Sequence, residues 1–329
     1  MKNMRDINRK KILGAILDNF IWVLLLGLVI IGAIAIPRFF SVDNAINILY
    51  NSASFGMMVL GMTFALLLGK LDLSIESTYA FASGIGILCM TRWFDMNPVL
   101  AIVVTLVVGI GIGYCNSLLS VNLNINPFLA TLCTMLILRG YVLFLIPQGI
   151  FNIDKTYLSI GDDMVPGTKF PIVIFVFVGI YILVHVLLKR TAFGKNLIAT
   201  GSNERSAYLA GIDTKKVKVW AFVLAGFFAG LGGYFMVGRM GAITNSMGDG
   251  AIMMVIAACI LGGVSMYGGK GTPIGALGGI IFLITIQNVL NMSGVNPFII
   301  QVVQGFILLA AIVFDSLRER LYHRLMTSA

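Results

Sequence analysis

The chain has 329 residues, of which 58% are apolar and only 11% charged, with a mean hydropathy of +0.96 and a net charge of +9. A soluble domain carries about a quarter charged residues, so this composition excludes one and points to an all-α integral membrane protein with apolar runs of ~17–23 residues. The positive charge sits in short segments between those runs, where it reads as a topology signal facing anionic membrane lipid, not as a surface for nucleic acid.

In chain order, a basic stretch (Met1–Lys11) leads into an apolar run from Phe20 to Ile36. That run is longer than a signal-peptide core and ends in Ile-Pro-Arg-Phe-Phe, without a small-residue cleavage site, so it reads as an uncleaved first span. Ten spans are expected, near 18–36, 53–69, 77–94, 98–119, 127–147, 170–188, 217–238, 251–263 (short), 273–292 and 297–315. They form one transmembrane domain over 1–329, with a first half at 18–147 and a second at 170–315. Cys89, Cys115, Cys133 and Cys259 all lie within apolar runs and show no paired spacing, so neither a disulfide nor a metal site is expected.

An even number of spans puts both termini on one side. With the N-terminus inside, the inner segments hold 17 basic residues and the outer segments five, Arg38, Arg92, Lys155, Lys169 and Arg239. This split sets the tails 1–17 and 316–329 and the loop 189–216 in the cytoplasm.

That loop carries a polar cassette. Ser202 or Asn203 caps a helix of about two turns, Glu204 suits its positive end, Ala207 and Ala210 make a small-residue face, and Gly211 ends it. A simple connector would be a few residues long. A capped helix between Lys189, Arg190, Lys195 and Lys215, Lys216, Lys218 reads instead as a docking element.

The cassette "TAFGKNLIATGSNERSAYLAGI" resembles the cytoplasmic loop of permease subunits of bacterial ribose/galactose-type ABC sugar importers. So do "INPFLATLCTMLILRG" at 125–140, "GRMGAITNSMGDG" at 238–250, "AACILGGVSMYGGKGTPIGALGG" at 257–279 and "GVNPFIIQVVQGFILLAAIVFD" at 294–315. Within "GKLDLSIES", Asp72, Leu73 and Ser74 keep that family's pattern, whereas Lys70 and Glu76 stand where it has glycine; a glycine permits a backbone break or close packing that Glu76 does not. The resemblance implies a non-catalytic permease of the bacterial inner membrane, importing a monosaccharide by alternating access. Its implied partners are a second permease copy, identical or not, an extracytoplasmic sugar-binding protein and a cytoplasmic ATPase. It also implies a coupling helix made of Asn203, Glu204, Arg205, Ser206, Ala207, Leu209, Ala210 and Gly211. The chain lacks a G-x-x-x-x-G-K-[ST] loop, which leaves ATP and magnesium to the ATPase subunit. Autoinducer-type or nucleoside ligands fit the same machinery.

Asn-Pro-Phe occurs at 126–128 and again at 296–298, each time opening an apolar run five spans apart. The same 170-residue shift lays 69–78 on 239–248 and 41–49 on 211–219. An odd separation gives the two copies opposite senses, the mark of two inverted five-helix repeats with a transport site between them. A chance tripeptide, with Pro127 and Pro297 simply starting helices, would leave the same trace. The polar residues at these boundaries are the candidate substrate pathway: Asp72, Ser74, Asn126, Asn245, Asp249 and Asn296, with Phe128 and Phe298 as gates or stacking faces. Asp72 and Asp249 are expected to be wet. Two rival readings find less support. Ion-coupled transport wants ionisable groups inside spans, yet every carboxylate falls in a loop or at a span end and Arg139 is the one clear intramembrane charge. An intramembrane enzyme lacks a recognisable catalytic set.

The topology is testable. A cysteine introduced at Lys155 should react with an impermeant reagent added outside intact cells, and one at Lys215 should not; the reverse pattern overturns the orientation.

Overall fold

The computed structural model describes residues 20–327; the basic tail 1–17 lies outside them. Thirteen helices account for the described fold: α1 (Phe20–Ala35), α2 (Val42–Leu67), α3 (Ile75–Leu88), α4 (Pro98–Ser117), α5 (Pro127–Leu145), α6 (Lys155–Asp162), α7 (Ile172–Arg190), α8 (Ala192–Ser202), α9 (Glu204–Leu209), α10 (Thr214–Met240), α11 (Ala251–Leu261), α12 (Pro273–Met292) and α13 (Pro297–Thr327). Both α3 and α4 end in a π-helical turn, Cys89–Trp93 and Leu118–Asn122. Among the described residues six helices (α2, α4 with its π turn, α5, α7, α10 and α12) are long and apolar enough to cross a membrane, and α1, α11 and Pro297–Ala310 are shorter apolar helices.

The helix starts follow from local chemistry. Asn97, Asn126 and Asn296 each precede a proline, and their side chains accept the N–H of Val99, Phe128 and Phe298 at 2.9, 3.0 and 2.9 Å. Proline at the first helical position loses a donor that had no intrahelical partner anyway. Thr272 does the same for α12, accepting from Gly275 at 3.1 Å.

Two expected boundaries move. The 41–49 stretch belongs to α2 itself, which starts at Val42 behind a Ser41 cap. Its asparagines are polar because they face protein: Asn44 donates to Phe39 O and accepts from Asn288, and Asn47 and Asn51 accept from Arg239. The segments 147–169 and 189–216 also contain helices that the apolar windows do not report, α6 and α8.

The elements fall into two sets of the same order: a long helix, a backbone break, a short helix, then two helices that open on proline. These are α2–α5 and α10–α13, and α2 and α10 have 26 and 27 residues. Packing between and within the sets corresponds as well. Helix α10 packs on α4 and α3 as α2 packs on α12 and α11; α3 packs on α4 and α5 as α11 packs on α12 and α13. Helix α10 also touches α2, α6 and α8, so it lies at the centre of the bundle. Around it α7 packs on α2, and α1 covers α12, with Ile21 and Trp22 lying over Gly278.

The α4–α10 contact is made by backbone. A Cβ on Gly109 would strike the carbonyl oxygen of Gly226, and one on Gly226 would strike that of Gly109. With no hydrophobic drive between helices in lipid, small residues let the two backbones gain dispersion contacts instead. Gly226→Leu should therefore lower thermal stability in detergent by about 1–3 kcal/mol or more. The matching change at Gly179, which has no neighbour within 4 Å, should leave it nearly unchanged.

Candidate functional site

The two breaks bring polar residues inside the bundle. Helix α2 ends at Leu67, and Gly69 takes φ +67°, a left-handed turn that reverses the chain into α3. The break forms although Glu76 stands in it, and Glu76 has a structural use there. Its Oε2 accepts the Ile252 backbone N–H at 2.9 Å, in the first turn of α11, and its Oε1 lies 3.2 Å from Arg139 Nη2. Helix α3 and helix α11 thus meet with their N-terminal ends together. Both ends carry partial positive charge, and a carboxylate between them offsets it.

Arg139 completes this junction. It reaches from α5 to the crossover 241–250 and donates to the carbonyls of Asn245 and Met247 at 3.3 and 3.2 Å. Asp249 Oδ1 stands 3.8 Å from the same guanidinium. The Arg139 and Glu76 side chains are 17% and 8% exposed, whereas that of Asp249 is 72% exposed. So the intramembrane arginine is paired, and its carboxylate is Glu76, at a helix end that the break carries into the interior.

The expected pathway residues do not gather at one place. Asp72 and Ser74 are buried, at 1% and 2% exposure, and not wet. Asp72 Oδ1 accepts from Ser74 N and Oγ, Ser74 Oγ accepts from Asn116, and Asn116 accepts from Thr134, a chain that ties the break to α4 and α5. Burying polar backbone requires such partners. Asn126 and Asn296 cap helices, and Phe298 is exposed. Asn126 and Phe128 border a recess of about 550 Å³ together with Lys70 and Lys218. Asn245 holds the crossover down by donating to Pro147 O at 2.8 Å, beside an antiparallel bridge between Ile150 and Ile243.

Asp249 opens onto a second cleft between helices. It borders a space of about 390 Å³ between α11, α12 and α13, together with Gln287, Gln301 and Gln304. These three glutamines escape sequence windows because each is a single uncharged residue in an apolar run. Their signal was the spacing, since Gln301 and Gln304 are three apart and share a helix face.

The expected coupling helix forms at one end of the bundle, on the same side as Lys70 and the 263–271 loop. Gly269 N donates to Leu67 O at 2.9 Å, and Gly201 packs against both. Asn203 ends α8 and caps α9, its side chain accepting from Ser206 N at 2.9 Å. Gly211 takes φ +84° to stop the segment. Glu204 accepts from Lys218 at 2.6 Å, which pins α9 to α10. The Lys216 backbone N–H, then its side chain, hold the Asp213 carboxyl below its ordinary range at the start of α10. The small-residue face divides: Ala207 is buried against the chain's own helices, and Ala210 is exposed with Arg205, Tyr208 and Leu209. Tyr208 and Leu209, 69% and 77% exposed, are the large apolar side chains this helix presents outward. Among the described residues no group of three or more His, Cys, Asp or Glu is placed to hold a metal ion.

A family profile described as "branched-chain amino acid transport system / permease component" matches residues 44–312, from the first turn of α2 into α13. The chain belongs to this permease family. Similar proteins include the ribose import permease protein of Bacillus subtilis, 34% identical over 92% of both chains. The galactose/methyl galactoside import permease protein of Escherichia coli is 31% identical over 96% of this chain and 98% of its own. The L-arabinose transport system permease protein of Escherichia coli is 32% identical over 93% of both. No solved structure matches this permease. The match runs from the first turn of α2 into α13, and the Glu76–Arg139 junction, the crossover and α9 all lie within it.

Removing one partner of a buried ion pair leaves the other charge uncompensated. Glu76→Ala or Arg139→Ala should each destabilise the permease by about 3–5 kcal/mol, read as thermal unfolding in detergent. Asp249→Asn, at the exposed arm, should change stability by about 1 kcal/mol or less.

Proposed function

We propose that this permease is the membrane subunit of an ATP-driven, binding-protein-dependent importer that carries a monosaccharide across the bacterial inner membrane. The observation that carries this reading is the near full-length similarity to permeases named for ribose, galactose and arabinose import. The chain's lack of a phosphate-binding loop supports a separate ATPase, with ATP and magnesium held there. Two copies would form the pathway and receive sugar from a binding protein outside. The N- and C-termini and α9 lie in the cytoplasm in this reading, as the distribution of basic residues supports.

The two matching sets, α2–α5 and α10–α13, are read as inverted repeats, and with α1 and α7 they make ten membrane-embedded segments. Two short helices meeting end to end at Glu76 fit that arrangement, because broken helices of transporters place their N-termini near the midplane. Helix α9 is the coupling helix. Its outward side chains, Tyr208 and Leu209, seat in the ATPase, while Ala207 lets the helix lie close on the bundle. Closure of the ATPases moves α9 and tilts the helices attached to it, opening the pathway to alternate sides.

The assembled complex tests the coupling role. Leu209→Glu or Ala210→Trp should weaken ATPase association by on the order of 2 kcal/mol, as loss or obstruction of a central apolar anchor does. Sugar uptake should fall with it while the isolated permease keeps its melting temperature. Uptake and co-purification at wild-type levels in both variants would remove α9 from this role.

A further inference from the structure

The glutamines of α12 and α13 are chemically out of place. Gln287 lies in the apolar helix α12, and Gln301 and Gln304 lie in the apolar part of α13, Pro297–Ala310, where an amide moved into hydrocarbon without a partner costs about 2–7 kcal/mol. Among the described residues none of their side chains makes a hydrogen bond, nor does that of Asn291. They are not sealed in the core either. All three glutamines border the cleft of about 390 Å³, and with Asn291 and Phe55 they also border an adjoining space of about 250 Å³. Asp249 is common to both spaces.

We infer that this amide-lined cleft is a binding station for a neutral polyhydroxylated ligand, formed by Asp249, Gln287, Gln301 and Gln304 within the permease itself. The inference rests on the import reading above and names the residues and ligand chemistry of its pathway. The cleft's volume lies in the range of about 300–1,000 Å³ typical of small-molecule sites. Each sugar hydroxyl both donates and accepts, and each glutamine amide offers a donor and an acceptor in return, so the set suits a ligand with many hydroxyls. Asp249 contributes acceptors only, which fits two neighbouring hydroxyls donating to one carboxylate.

The charges around the cleft set its selectivity. Glu76 and Asp249 are negative and Arg139 is positive, and the arginine is already engaged by Glu76 and by the carbonyls of Asn245 and Met247. The local sum is one negative charge, carried by the exposed carboxylate. A neutral sugar meets hydrogen-bonding groups there, while a sugar acid or sugar phosphate meets like charge. Arg139 acts as a positioning residue: its bonds to the crossover hold Asp249 at the mouth of the cleft.

The test uses the full transporter, permease with its ATPase and binding protein, in proteoliposomes and in detergent. The probes are radiolabelled ribose, galactose and arabinose for uptake, and the same sugars with galacturonate for saturation-transfer NMR on the detergent complex without its binding protein. Wild type should take up at least one of the three sugars and show saturation transfer from it but not from galacturonate. Gln301→Leu and Gln304→Leu should each lower uptake about tenfold, the loss of one or two ligand hydrogen bonds, and abolish the NMR signal with the complex still assembled. Val302→Leu, on the exposed side of the same helix, should match wild type in both assays. Leucine variants that import and bind like wild type overturn the inference, as does equal saturation transfer from galacturonate or none from any sugar. Dissociation of the two permease copies in the leucine variants would assign the amides to a contact between copies and overturn it too. A wild type that imports none of the three sugars fails the import reading itself, a separate result from failure of the leucine variants alone.

Discussion

The fold depends on how a backbone can be broken inside an apolar layer. Every N–H and C=O freed by the break must find a partner within the protein, since lipid offers none. Here the two breaks answer each other. Helices α3 and α11 bring their positive ends together, and the Glu76 carboxylate takes the N–H of Ile252. Arg139 then neutralises that carboxylate and binds the carbonyls of the crossover that follows α10. One buried glutamate thus holds two short helices, a third helix and a loop in register. The Asp72–Ser74–Asn116–Thr134 chain does the same work, without a formal countercharge, for the α2–α3 break.

Much of this was readable before any coordinates. Asn-Pro at 126–127 and 296–297 marks two helix starts to the residue, because the cap and the locked φ act within a few atoms. The α9 segment was legible for the same reason, from Asn203 to Gly211. The start of α2 was not, because Asn44, Asn47 and Asn51 lower the local hydropathy that a window averages. Those asparagines are paired with Phe39 O, Asn288 and Arg239 across the bundle, and a one-dimensional reading has no access to such partners. Glu76 was misread on similar grounds. As a replacement for glycine it looked like an obstacle to a break, whereas its length lets it span to the next half-helix.

The pathway residues show where composition stops informing. Asp72 and Asp249 are the same residue type in two polar loops, yet one is enclosed and the other opens onto a cleft. The difference lies in which helices close over them. Helices α4 and α5 cover the first break, while α12 and α13 leave a space beside the second. The three glutamines bordering that space contribute almost nothing to net charge or to hydropathy summed over twenty residues. That they border one space becomes visible only when neighbours are placed.

Helix α10 has a mechanical consequence. It begins four residues after Ala210, is clamped to α9 by Glu204 and Lys218, and runs without a kink-forming proline for 27 residues to Gly241, where the left-handed φ of +63° ends it. At 1.5 Å per residue that is a rod of about 40 Å. Its middle is in backbone-to-backbone contact with α4 at Gly109 and Gly226, and its far half with α3 and α6, at Gly233 against Tyr79 and Gly238 against Gly161. Its far end carries the crossover with Asp249. A force applied at α9 would therefore reach the mouth of the cleft along one stiff helix, and α3, α4 and α6, packed backbone to backbone on it, would have to move with it.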